Sequence, residues 1–214
     1  VVYQNRRYDS DFLTIQKALA DKVIGEVFHY EAFVGGYGKP CSFWHSDKLI
    51  SGGAIFDWGS HFIDQIMTLL PYPIDHISGL NQKRHWHHIS NADHAQVVIT
   101  YKDGKQAVFI NSDLAAARKP KFHLLGTMGS LTGNWDQQAG NTPADLPAII
   151  TLTKSDGESV ILPPVKAAPY AFHQSVADFL LSNTAMAITT EQSRDVVAIM
   201  QAAEASALIN ARPV

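Results

Sequence analysis

Cysteine is nearly missing. Cys41 stands alone among 214 residues, so no internal disulfide can form, and a reducing, cytoplasmic location is expected. An excess of positive charge is missing too: 17 Lys and Arg face 20 Asp and Glu, a formal net charge of −3 with neutral histidines. Without basic residues to neutralise phosphates, nucleic acid is excluded as an expected partner. No apolar run approaches the ~20 residues of a bilayer span, and Val1-Val2-Tyr3-Gln4-Asn5-Arg6 is no signal peptide, so no membrane partner is expected. Against these absences stand 46% hydrophobic residues and only 17% charged ones, which excludes a disordered tail or a collagen-like chain. Such a chain folds with roughly 70% of its unfolded surface buried. Ten histidines are many for the length.

Periodicity divides the chain into elements. Residues 1–6 read as a short extended piece, and Asp9-Ser10-Asp11 opens a helix carrying Phe12, Ile15 and Leu19 that ends by Gly25. Residues 26–34 are β-formers ended by Gly35-Gly36. The spacing predicts an amphipathic helix over 55–70, with Phe62, Ile63, Ile66, Met67 and Leu70 on one face. Its other face carries Asp57, His61, Asp64, Gln65 and Thr68. Residues 93–101 and 105–112 alternate around Asp103-Gly104, a strong hairpin signal. Further strands are expected over 121–125, 130–135, 149–154 and 159–162, with a second turn at Asp156-Gly157. Two helices close the chain, one marked by Phe172, Val176 and Phe179, the other by Val196, Met200 and Ala203 behind a Thr189/Gln192 capping box. Residues 136–147, rich in Gly, Pro, Asn and Asp, read as an insertion over the sheet. Helices at the ends and strands in the middle give an α+β fold, with an open, predominantly antiparallel sheet and helices packed on one face. The expected organisation is a single domain over 1–214.

The sharpest motif runs from Ser51-Gly52-Gly53 through Asp57-Trp58-Gly59-Ser60-His61 to Asp64. On a helix Asp57 and His61 share a face, and a carboxylate beside an imidazole makes a useful general acid or base. The plainer alternative is a solvated polar helix face. In His85-Trp86-His87-His88, with His94 nearby, alternate histidines on a strand would bind one metal ion. No cysteine or glutamate completes that set, so solvated loop histidines and no metal site are expected. The glycines from Gly126 to Gly133 lack a Walker lysine and a following helix, and read as a tight turn. No G-x-G-x-x-G opens a strand–turn–helix unit, so no cofactor-binding residues are expected in this chain. No G-x-S-x-G is present and Cys41 has no evident activator, which leaves a bystander thiol.

Four stretches together resemble the C-terminal domain of the glucose–fructose oxidoreductase / inositol dehydrogenase / MocA (Gfo/Idh/MocA) family of NAD(P)-dependent oxidoreductases. They are Gln4-Asn5-Arg6-Arg7-Tyr8-Asp9, Ile24-Gly25-Glu26-Val27, Phe43-Trp44-His45 followed by Gly52-Gly53 through Asp64, and Gly126-Thr127-Met128-Gly129-Ser130-Leu131. The resemblance implies a dihydrodipicolinate-reductase-like open sheet that supplies substrate contacts and an oligomer interface through its face. It also implies an N-terminal Rossmann domain, absent from this chain, that mainly binds NAD or NADP. Residues 1–7 would then be the junction strand, and the fragment alone would be inactive. By the same resemblance His61 is the histidine exchanging a proton with a hydroxyl of a sugar, inositol or related polyol. Asp57 assists it, Asn5 and Arg6 lie near the substrate, and Trp44 braces a loop over the site. Ser51 stands where the family has a glycine and His45 where it has arginine; the family's Glu-Lys-Pro lysine has no counterpart. A non-catalytic dimerisation or ligand-binding module of the same fold is the alternative.

Overall fold

A computed structural model of the chain describes residues 2–71, 73–135 and 147–214. Helix α1 (Ser10–Ala20) precedes strand β1 (Val27–Gly35); a single turn α2 (Lys48–Ser51) and helix α3 (Gly59–Leu69) follow. The sheet continues through β2 (Ile74–Gln82), β3 (His94–Tyr101), β4 (Gln106–Ser112), β5 (Phe122–Gly126), β6 (Gly129–Trp135), β7 (Ala148–Lys154) and β8 (Ser159–Ile161). Helices α4 (Ala171–Ser182) and α5 (Thr190–Leu208) end it. The eight strands lie in the order β2-β3-β4-β1-β5-β6-β7-β8. Only β1 with β4 is parallel, His29 standing opposite Gln106; the other neighbours are antiparallel. This is the expected α+β fold with an open, mostly antiparallel sheet.

Alternation decides which face is covered. Ala95, Val97, Ile99 and Tyr101 of β3, Ala107 and Phe109 of β4, and Tyr30, Ala32 and Val34 of β1 enter one core with Ile15, Phe62, Ile63, Ile66, Val196, Ile199 and Met200 of the helices. The other face carries only a small cluster of Phe33, Val108 and Ile110, covered by Val98, Ala115 and Trp135. The Thr189 hydroxyl accepts from the Gln192 N–H and the Gln192 side chain returns to Thr189 N–H, the expected capping box.

Three expectations need correction. Residues 5–8 do not continue an extended piece; Asn5–Tyr8 is a 3-10 turn. There the Arg7 Nε and Nη2 donate to both oxygens of Asp64, at 2.7 and 2.6 Å, and Nη1 to Gln192 at 3.1 Å. This fork ties the turn to α3 and to the start of α5.

The helix expected over 55–70 begins only at Gly59. Gly52 and Gly53 bring the chain in at φ +87° and +131°, and residues 54–58 form turns closed by Phe56 N–H on Gly53 O. Strand β2 has no counterpart among the expected elements. Its pattern is broken because Gly79 sits under α5: a Cβ there would lie 1.9 Å from the Ala203 carbonyl oxygen. The Gly79 N–H donates instead to the Ser206 hydroxyl at 2.9 Å. Of the expected insertion over 136–147, residues 136–146 lie outside the described residues.

Candidate functional site

A cleft of about 670 Å³ opens where β1 and β4 end side by side. Parallel neighbours bring their carboxyl ends to the same edge, and the loops leaving them form its walls. Gly36, Tyr37, Cys41, His45, Asp57, Trp58, Asn91, Asn111, Asp113 and Arg118 are among its lining residues.

The five residues singled out in the sequence fall into two groups. Asp57 lines the cleft, and its Oδ2 lies 3.4 Å from His45 Nδ1; both side chains are about two-fifths exposed. Trp44 starts a 3-10 turn, Trp44–Ser46, and its ring stacks on His45 at 3.7 Å. Asn91 fixes that turn by donating to His45 O at 2.5 Å and to the Ser51 hydroxyl at 3.0 Å. His61 and Arg6 make the second group, behind Trp58, and Asn5 precedes Arg6 in the 3-10 turn. The Trp58 ring lies 6.1 Å from the His61 ring and 5.5 Å beneath the Arg6 guanidinium.

His61 therefore does not meet Asp57 across a helix face as expected. Asp57 precedes α3, and the charge that acts on the imidazole is Arg6. Burial first and the Arg6 charge second push the imidazolium down to about 4, so the ring is neutral at physiological pH. Its Nδ1 is buried with no hydrogen-bond partner. Arg6 reaches this corner through the 3-10 turn, and its carbonyl accepts from Gln65 Nε2 at 2.9 Å.

The histidine-rich loop is held by one acid. Asp93, fully buried, accepts from Lys83 Nζ at 2.8 Å and from the N–H groups of Arg84, His85 and Trp86. Against the upward push of burial, these donors keep its carboxyl well below the usual carboxylate range. His85 packs on Trp86 and Tyr37, and His88 contacts Pro40 O at 3.3 Å. Among the described residues no three His, Cys, Asp or Glu side chains gather where they could hold a metal ion. The Cys41 thiol meets the Ser46 hydroxyl at 3.6 Å.

Asp113, Asn91 and Arg118 were not singled out in the sequence. Asp113 stands just past the end of β4, and nothing local marks it; the cleft around it is assembled from the ends of β1 and β4, the loop after β1 and the loop residues Ile89, Asn91 and Ala92. No helix among the described residues is long and apolar enough to cross a membrane.

Comparison with known proteins adds an independent line. The sequence pattern of the GFO/IDH/MocA C-terminal domain matches residues 12–132. The scyllo-inositol 2-dehydrogenase (NADP(+)) IolW of Bacillus subtilis is 26% identical over 94% of this chain and 60% of its own length. The uncharacterized oxidoreductase YhhX of Escherichia coli is 31% identical over 67% of the chain and 41% of its own. The chain thus spans about 60% or less of these relatives. Among solved structures, the putative oxidoreductase YvaA of B. subtilis superposes over the whole chain with a TM-score of 0.85 at 23% identity, covering 65% of that protein. An NAD-binding protein from Listeria innocua gives 0.81 at 28% identity, over the whole chain and 62% of its own length.

Proposed function

Because the chain belongs to the GFO/IDH/MocA family, matched through its C-terminal domain, we propose that it is the substrate-binding and proton-handling part of an NAD(P)-dependent oxidoreductase that moves a hydride to or from a sugar, inositol or related polyol. The observation that carries this reading is the imidazole of His61, neutral and with a buried, unpartnered Nδ1. A buried polar atom without a partner is costly, and in this reading a substrate hydroxyl entering from the cleft past Trp58, which separates the cleft from His61, relieves it. A neutral His61 accepts the hydroxyl proton during oxidation and returns it during reduction. Asp57 assists from the cleft side through its contact with His45. Arg6 and Asn5 border the substrate at the His61 corner, and Trp44 braces the wall by stacking on His45.

The residues present fit the substrate side of such a reaction and not the grip on a dinucleotide. Among the described residues the one parallel contact, β1 with β4, has no glycine-rich turn leading straight into a helix N-terminus. NAD or NADP would therefore be bound mainly outside this chain, in the length by which the relatives exceed it. When bound, the nicotinamide supplies or takes the hydride. The lightly covered face of the sheet is the surface through which two copies would pair as a homo-oligomer.

The test is steady-state oxidation of scyllo-inositol, myo-inositol and glucose with NAD and NADP by the protein carrying its cofactor domain. His61→Ala lowers kcat by about 10²-fold or more. An unchanged rate removes the histidine from the reaction. Sedimentation of the same protein tests the pairing, and a monomer at all concentrations refutes it.

A further inference from the structure

The cleft holds one acidic group that the family signature does not cover. Asp113 is half-buried in the cleft wall, and among the described residues its carboxyl has neither a hydrogen bond nor an ion pair. Its backbone, by contrast, is pinned on both sides. The Asp113 N–H donates to Asp93 O at 2.8 Å, and the Asp113 carbonyl accepts from Trp86 Nε1 and from Gly38 N–H, each at 3.3 Å. The backbone anchors Asp113 at the cleft wall, and its carboxyl keeps hydrogen-bonding capacity that no side chain or backbone group among the described residues uses.

Its surroundings say what it would meet. Burial first, and then the Asp93 and Asp57 carboxylates, push the Asp113 carboxyl up to about 6, while Lys83 pulls it part of the way back. The Lys83 ammonium is already engaged by Asp93. Of the other charged or titratable side chains lining the cleft, His45 is taken by Asp57, Arg118 lies 5.8 Å from the Trp135 ring centre, Cys41 meets the Ser46 hydroxyl, and Tyr37 and Lys39 are exposed on the loop after β1. Near pH 6 the group is therefore shared between an acid, which donates and accepts, and a carboxylate, which accepts from up to four directions. Such a group suits a neutral hydroxyl, which also donates and accepts, and disfavours a substrate carboxylate or phosphate.

We propose that Asp113 is a specificity-determining residue that hydrogen-bonds a hydroxyl of the bound sugar or polyol directly. This rests on the reading of the cleft as the substrate site. It assigns the choice of a hydroxylated over an anionic ligand to a side chain outside the Asp57/His61 signature.

The experiment compares Asp113→Asn and Asp113→Ala with the parent protein, cofactor domain included, using scyllo-inositol and, as an anionic probe, inositol monophosphate. Each variant is first checked by thermal melting. The expected result is a rise in KM of about ten- to a hundred-fold, with kcat changed by less than about three-fold. The parent's KM should change between pH 5 and 7, and the variants should lose that dependence. A parent KM that both variants reproduce, with the same pH profile, overturns the proposal and leaves the proposed function standing. Saturation by the phosphate at lower KM than the neutral polyol also overturns it. If the parent oxidises no polyol while both variants melt as it does, the proposed function fails, and the role of Asp113 fails with it.

Discussion

Asp93 and Asp113 are neighbours across the β3/β4 ladder and are treated in opposite ways. At Asp93 the region behind the cleft is saturated: one ammonium and three backbone N–H groups meet a fully buried carboxylate. At Asp113 the cleft itself is left short of donors, and the backbone alone is secured. The same division recurs at the His61 corner. Asp64 is met by both arms of Arg7, whereas the Nδ1 of His61, three residues earlier on α3, has no partner. The contrast is local to these two corners: the core hydroxyls of Tyr30 and Tyr101 are unpartnered as well, so a deficit points to a ligand only where it borders the cleft.

The largest expected effect comes from breaking the saturated side. Asp93→Ala leaves three N–H groups unpaired and the Lys83 ammonium with only the Asn91 carbonyl, so urea unfolding should report a loss of about 3–5 kcal/mol. A loss below about 1 kcal/mol would mean that the loop over 83–92 is held by something else. Arg7→Ala comes next. Asp64 is only 2% exposed, and without its partner about 3 kcal/mol should go, with the melting temperature falling accordingly.

Smaller effects come from the deficient side, and their signs oppose. The His61 imidazolium lies at about 4 in the fold against an ordinary 6.5, so the unfolded chain binds the proton more readily. Its contribution to stability is therefore present above pH 6.5 and is lost as pH falls toward 4; His61→Gln should flatten that decline. Asp113 is raised to about 6 from 3.8, so the fold binds its proton more readily. Its contribution is full below pH 3.8 and is lost as pH rises through 6. Asp113→Asn should accordingly be neutral or slightly stabilising at pH 7, by about 1 kcal/mol or less, and should converge with the parent at pH 4. A destabilised Asp113→Asn would place Asp113 on the scaffold side and erase the contrast with Asp93.

What the sequence made legible follows from the range of each interaction. The β3–β4 and β7–β8 hairpins were readable because alternation and an Asp-Gly turn are local. Strand β2 was not, because Gly79 answers to the backbone of α5, more than a hundred residues away. The Asp57/His61 pair misled because the helical period was extended back over residues 55–58, which form turns behind the positive-φ glycines Gly52 and Gly53. His61 stood out through its four-residue spacing from Asp57 and took a role only from the family resemblance, and its isolation from Asp57 was visible only in three dimensions. Asp113 carried no signal at all: its charge environment is made by Asp93 across the ladder and by Asp57 from a separate turn.

The single parallel seam in the sheet has a consequence for assembly. Strands β2 to β4 and β5 to β8 are two meanders of neighbouring antiparallel strands, but β1 lies between them and pairs with β4 on one side and β5 on the other. Both partners of β1 are synthesised after it, so the first strand of this sheet is left unpaired until the residues of β4 and β5 have emerged. Loop-closure entropy makes its insertion the slowest contact of the sheet. The cleft, whose floor is where β1 and β4 end together, comes into being only with that last step.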